Sequence, residues 1–262
     1  DEHLEVIRVV TEAAAGRVKI IAGTGANSTD EALELTRRAK DFGVNGTLQV
    51  TPYYNKPTQA GLVRHFSAVA DLGLPVVLYN VPGRAGREIP LDVVIRLAAH
   101  PNVAAIKEAA GSVDRVSAIR NACDLPVLSG DDSLALPMIS VGACGVISVA
   151  SNVIPKEVSS MVRLALNNDL SAAREMHRTY YPLFRDLFID TNPVPVKTHE
   201  VLSRGDVASV TVQYYDRATV LMPAKVPVAA LTHRLVLQEL RQRLEQRPGP
   251  HPQVEIYGES LG

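Results

Sequence analysis

The chain has 262 residues, 46% of them hydrophobic, which suffices for a sizeable core and excludes a disordered chain. Its 27 Lys and Arg against 28 Asp and Glu leave a net charge of −1, which excludes a general electrostatic surface for nucleic acid or anionic membrane. Small molecules or further copies of the chain are the partners such a balance leaves.

In chain order, residues 1–15 form an amphipathic, acid-bearing segment unlike a signal peptide, and no apolar run approaches the roughly 18 residues that span a bilayer. Cys123 and Cys144 lack a CxxC spacing and read as buried free thiols, which fits a cytoplasmic location. Six β-rich runs then recur: "VKIIAG", "GTLQVT", "PVVLYN", "VAAIKE", "PVLSG" and "GVISVA". Between them lie amphipathic helices with legible ends. Ser28 and Glu31 make a capping box for a helix that stops at Gly43, and Thr58 opens another that stops at Gly73. Apolar runs flanked by such helices imply parallel strands buried on both faces. With Ile20, Leu48, Val77, Ala105, Val127 and Val146 as strand centres, the steps are 28, 29, 28, 22 and 19 residues. This spacing favours a (β/α) barrel, with a doubly wound open sheet as the alternative.

Chemically able residues collect at the C-terminal ends of these runs: Thr24 and Asn27, Thr51, Tyr53 and Tyr54, Tyr79, Asn80 and Arg84, Lys107 and Glu108, Asp131 and Asp132, and Ser148. That end of a barrel is where active sites are built. Lys107 stands out, because an ammonium inside an apolar strand is costly without a partner. One account has its stem packed on apolar neighbours and its ammonium snorkelling to water or pairing with Glu108. The other has a buried amine that attacks a carbonyl and forms a Schiff base, with Tyr79 and Tyr54 supplying hydroxyls for proton transfer. Asp131 and Asp132 lack a third ligand at metal spacing and read as a helix N-cap.

The motifs "IAGTGANSTDEA", "VTPYYNKP", "LYNVPGRAG", "AAIKEAAG", "LSGDDSLALP", "GVISVASNV" and "NPVPVK" occur in the order and spacing of one family. On them the chain resembles the 4-hydroxy-tetrahydrodipicolinate (dihydrodipicolinate) synthase family of Schiff-base aldolases, over roughly residues 1–200. The resemblance implies an α/β fold of the TIM (β/α)8 type and condensation of pyruvate with L-aspartate 4-semialdehyde in diaminopimelate and lysine biosynthesis. It implies no metal or organic cofactor, and a homo-oligomer, dimer or tetramer. Lys107 would form the imine and Tyr79 would relay protons. Tyr54 would join that relay from a neighbouring subunit, and Arg84 would hold the semialdehyde carboxylate. Gly130 and Ile147 would line the pyruvate pocket. His3, Asn27, Glu31 and Tyr53 match a site for lysine as feedback inhibitor; residue by residue, Glu31 also reads as the capping-box acid and His3 as a surface histidine.

Against the family pattern, the chain is expected to lack the first two barrel strands and a Gly-x-x-Gly-Glu loop that supplies amide donors to pyruvate. On that expectation turnover is weak or absent. Three regions are expected: an incomplete barrel over 1–200, a partly helical extension over 201–247 and a tail over 248–262. Within the extension, residues 208–223 read as strand-like and 231–246 as an amphipathic helix. Two other functions stay open: a lyase acting on another 2-oxo acid, such as an N-acetylneuraminate lyase, and a non-catalytic paralogue.

Overall fold

The structure, a computed structural model, describes residues 2–188, 191–197, 210–213 and 219–222. The expected helix over 231–246 and the tail lie outside the described residues. The chain begins with α1 (Glu2–Ala14), then alternates strand and helix: β1 (Ile21–Gly23), α2 (Thr29–Asp41), β2 (Gly46–Val50), α3 (Gln59–Ala70) and β3 (Val76–Asn80). Two helices, α4 (Pro82–Ala85) and α5 (Leu91–Ala98), precede β4 (Val103–Glu108). They are followed by α6 (Val113–Ala122), β5 (Val127–Ser129), α7 (Asp132–Ser140) and β6 (Gly145–Val146). A 3-10 turn at Ala150–Asn152, then α8 (Pro155–Leu166), α9 (Leu170–Asp186) and the short α10 (Val194–Lys197), complete the βα part.

The six strands form one parallel sheet in chain order, β1 to β6, each separated from the next by helix. That is the order of a TIM-type barrel wall and not of a doubly wound sheet, whose order reverses at a switch point. All six C-terminal ends therefore share one side. Among the described residues β1 and β6 each have a single strand neighbour.

Local signals act as expected. The Ser28 hydroxyl accepts from the Glu31 amide at 3.5 Å and the Thr58 hydroxyl from the Gly61 amide at 3.2 Å, filling donors that a helix start leaves open. Gly43 and Gly73, with φ of +84° and +83°, turn the chain out of α2 and α3, a conformation open to glycine at little cost. One boundary differs. The Asn45 side chain captures the Ile20 amide at 2.8 Å, so β1 starts one residue later than its expected centre.

Strands β2 and β3 are buried at every position. Alternation splits them between two cores. Val76, Leu78 and Ile106 pack outwards with helix residues such as Leu62, Phe66, Val93 and Leu97. Leu48, Val50, Val77, Tyr79, Val81, Ala85, Ala105 and Ile147 form the inner cluster.

Residues 208–223 contain two strands, β7 (Val210–Gln213) and β8 (Thr219–Met222), which pair antiparallel in their own sheet, separate from the six. Cys144 departs from expectation: it is exposed, with its thiol donating to the Val127 carbonyl at 3.3 Å, while Cys123 is half-buried against the core. Among the described residues no helix is long and apolar enough to cross a membrane.

Packing of α3 on α2 carries a pH dependence. His65 is buried edge-on to Phe66, its Nδ1 sharing a hydrogen bond with the Thr29 hydroxyl at 2.9 Å. Burial lowers its pKa to about 4, whereas an unfolded histidine protonates near 6.5. The folded state thus binds this proton less readily, and the stability is complete above pH ~6.5 and lost as pH falls to ~4, about 3 kcal/mol in all. In urea titrations, His65→Gln is expected to remove that part of the wild-type acid sensitivity; equal slopes for both proteins would contradict it.

Candidate active site

Lys107 is the penultimate residue of β4, in register with Tyr79 of β3. Its side chain points into the inner cluster, only 3% exposed, with Nζ 3.9 Å from the centre of the Tyr79 ring. The snorkelling account therefore fails. Pairing with Glu108 fails too, because successive strand residues face opposite ways and Glu108 is taken up behind the sheet by Asn80 and Arg115. Lys107 is thus a buried lysine at the C-terminal end of β4 with its Nζ against the Tyr79 face, an arrangement that favours the ammonium by cation–π attraction.

Gly130 follows β5 and lies against this lysine. A Cβ there would stand 2.6 Å from the Ala109 Cβ and 3.2 Å from the Lys107 Cε. The requirement is therefore close approach, since Gly130 has no left-handed φ. Gly130→Ala is expected to displace the lysine stem, cost about 1–3 kcal/mol through overpacking, and slow capture of a carbonyl compound at Lys107. Wild-type stability and capture rate in the variant would contradict this. Ile147, 4% exposed, belongs to the same inner cluster as Tyr79, its amide donating to the Ser129 carbonyl at 2.8 Å.

The other predicted residues divide. Tyr53 is half-buried and packs on the inner cluster that contains Tyr79. Tyr54 does not join it: at φ 69° it projects to solvent, 90% exposed. Arg84 lies on α4, immediately beyond β3, and its Nη1 donates to the Asn192 carbonyl at 3.1 Å. The Asn27 carbonyl accepts from Asn55 Nδ2 at 2.9 Å, tying the loop after β1 to the one that carries both tyrosines. Glu31 is exposed in the first turn of α2. His3 is no surface histidine: it is buried, and Nε2 donates to the Gly23 carbonyl at the end of β1, 2.9 Å away.

Several polar strand-end residues are structural. Thr24 and Thr36 share a hydrogen bond at 2.8 Å, and Gln49 Nε2 donates to both, at 2.6 and 3.2 Å. Asp131 occupies the N-cap of α7 but makes no side-chain capping bond. Asp132 is buried instead, its Oδ2 accepting the Val149 and Ala150 amides at 3.0 and 2.9 Å, so that it fixes the turn after Ile147. Burial pushes its carboxyl above the usual range, against hydrogen bonds from Ser148 and these amides. Arg115, absent from the predicted set, has no sequence signal beyond its place three residues after the Ser112 cap.

Parallel βα units in chain order, with a buried lysine against a tyrosine ring at the strand ends, define a TIM-type barrel protein. The chain belongs to the dihydrodipicolinate synthetase family, whose model matches residues 1–213. It is 49% identical over 199 residues to the 4-hydroxy-tetrahydrodipicolinate synthase of Methanospirillum hungatei JF-1, a match covering 75% of this chain and 68% of that protein. Two solved structures are also similar. The chloride-inhibited dihydrodipicolinate synthase of Acinetobacter baumannii, complexed with pyruvate, is 39% identical, with a TM-score of 0.75 over 93% of this chain and 81% of that one. The dihydrodipicolinate synthase of Cyanidioschyzon merolae with lysine bound is 36% identical, with a TM-score of 0.73 over 93% and 80%.

Proposed function

We propose that the chain condenses pyruvate with L-aspartate 4-semialdehyde through a Schiff base on Lys107. The observation that carries this reading is the enclosed Lys107 amine against the Tyr79 ring, in a chain of this family. The amine adds to the pyruvate C2 carbonyl and the carbinolamine loses water, giving the imine. Loss of a C3 proton makes an enamine, whose C3 attacks the aldehyde carbon of the second substrate. The semialdehyde's own amine then adds to C2 and expels Lys107 as the ring closes, regenerating the free side chain. Tyr79 relays the protons, Gly130 and Ile147 shape the pyruvate pocket, and Arg84 holds the semialdehyde carboxylate through its planar fork.

Tyr54 completes the relay from the neighbouring subunit of a homo-oligomer in the cytoplasm. Its exposure at a backbone angle uncommon for a side chain of this size supports that placement. L-Lysine is proposed as an inhibitor at His3, Asn27, Glu31 and Tyr53, supported by the lysine complex of the Cyanidioschyzon merolae relative and by the bond between Asn27 and the tyrosine loop. Turnover measured with pyruvate and aspartate semialdehyde, alongside cleavage of N-acetylneuraminate, tests the reading. Weak consumption of the first pair alone is expected; cleavage of the sugar acid in its place would assign an N-acetylneuraminate lyase.

A further inference from the structure

Behind the sheet, on the face away from Lys107, one buried carboxylate gathers the segments that carry Lys107 and Arg84. Glu108 is fully buried, and Asn80 Nδ2 donates to both its oxygens at 2.8 and 3.0 Å. The Ala110 amide donates at 3.0 Å and Arg115 Nε at 3.1 Å. Neither side-chain donor stops there. Asn80 Oδ1 accepts from the Ile89 amide at 2.9 Å, while Arg115 Nη2 donates to the Ile89 carbonyl and Nη1 pairs with Glu88 at 3.2 Å. Both backbone polar groups of Ile89 are thus held by side chains that meet at Glu108. The segment 81–88 leaves β3 directly after Asn80, carries Arg84 on α4 and returns at Ile89, so the same carboxylate fastens its two ends. Arg115 is itself placed in the first turn of α6, where the Ser112 hydroxyl accepts its amide at 3.2 Å.

We propose that Glu108, Asn80 and Arg115 are positioning residues that hold the Arg84 segment in fixed relation to Lys107. This rests on the roles given above to Lys107 and Arg84. The physical case is that a desolvated carboxylate needs all its donors, so its partners cannot relax one at a time. Arg115 alone serves three acceptors from one rigid plane; a lysine ammonium on a flexible stem cannot span them. Misplacing a binding group by about an ångström costs on the order of a hundredfold in rate, which makes a clamp next to the reacting lysine consequential.

The test compares wild type with Glu108→Gln and Arg115→Lys by hydrogen exchange over residues 81–90, by the rate of borohydride trapping with pyruvate, and by KM for aspartate semialdehyde. In both variants exchange over 81–90 is expected to quicken about tenfold as the local opening becomes easier. KM for the semialdehyde rises about tenfold as Arg84 loses its place. Arg115→Lys leaves pyruvate trapping within about twofold of wild type, because β4 still holds Lys107. A purely structural network would lower the melting temperature and leave KM unchanged. Unchanged exchange over 81–90 in a folded variant overturns the clamp, and faster exchange with wild-type KM overturns its positioning role. If Glu108→Gln does not fold, Arg115→Lys decides alone. Wild-type protein that forms no pyruvate adduct overturns the functional reading instead. The clamp is then judged on exchange, faster exchange supporting it and unchanged exchange overturning it.

Discussion

Lys107→Ala protein is expected to form no pyruvate adduct and to lose at least about 10³-fold of wild-type turnover, because removal of a covalent nucleophile is not compensated by the binding groups left in place. The variant should fold. Lys107 is almost wholly enclosed, and its loss leaves a small space beside the Tyr79 ring and the Gly130 backbone while removing a buried charge. The two effects oppose each other, since a cavity destabilises and relief from burying an ammonium stabilises. Thermal melting within a few degrees of wild type, together with absent turnover, is the expected pair of results. Turnover within tenfold of wild type would place the chemistry elsewhere.

Tyr79→Phe is expected to lower kcat by about 10²-fold or more with little change in KM for pyruvate, as befits a group that moves protons in the transition state and does not hold the ground state. The substitution isolates the hydroxyl. A phenylalanine ring keeps the face over the Lys107 ammonium and the contacts with Leu48, Val50 and Val77, and the Thr51 hydroxyl still donates to the backbone carbonyl of residue 79, 2.8 Å away. A KM increase at constant kcat would recast Tyr79 as a substrate-binding group. Stopped-flow measurement of imine formation and of full turnover separates the two cases.

The six strands were readable because each is a short β-rich run near a glycine or proline, three of them followed by a helix capped by Ser28, Thr58 or Ser112; their order was not, since the runs alone also allowed a doubly wound sheet. Lys107 was readable because a charged residue inside such a run must be explained. Glu108 was harder. Period-two alternation alone sends it to the opposite face from Lys107, yet its partners Asn80, Arg115 and Ile89 come from three separate stretches of chain, and no local pattern brings them together. Asp132 was misjudged for a similar reason: an acid at the start of a helix looks like a cap for that helix, whereas its actual acceptor role is toward amides 17 and 18 residues away. His3 lay at a helix start and looked exposed, but the packing of α1 against β1 buries it on the Gly23 carbonyl. Cys144 went the other way, since an apolar neighbourhood in sequence does not fix which side of a strand's approach meets solvent. Tyr54 and Tyr53 are adjacent and chemically alike. Only the backbone, left-handed at Tyr54, sends one to the inner cluster and the other to solvent.

The central claim is that Lys107 is the residue that captures pyruvate. Its most direct test is intact-mass and peptide mass spectrometry of the purified chain after incubation with pyruvate and borohydride, with folding checked by circular dichroism. One reduced pyruvate unit on the peptide that contains Lys107, absent from Lys107→Ala, is the predicted result. Folded wild-type protein that carries no adduct, or carries it on another lysine, would contradict the account.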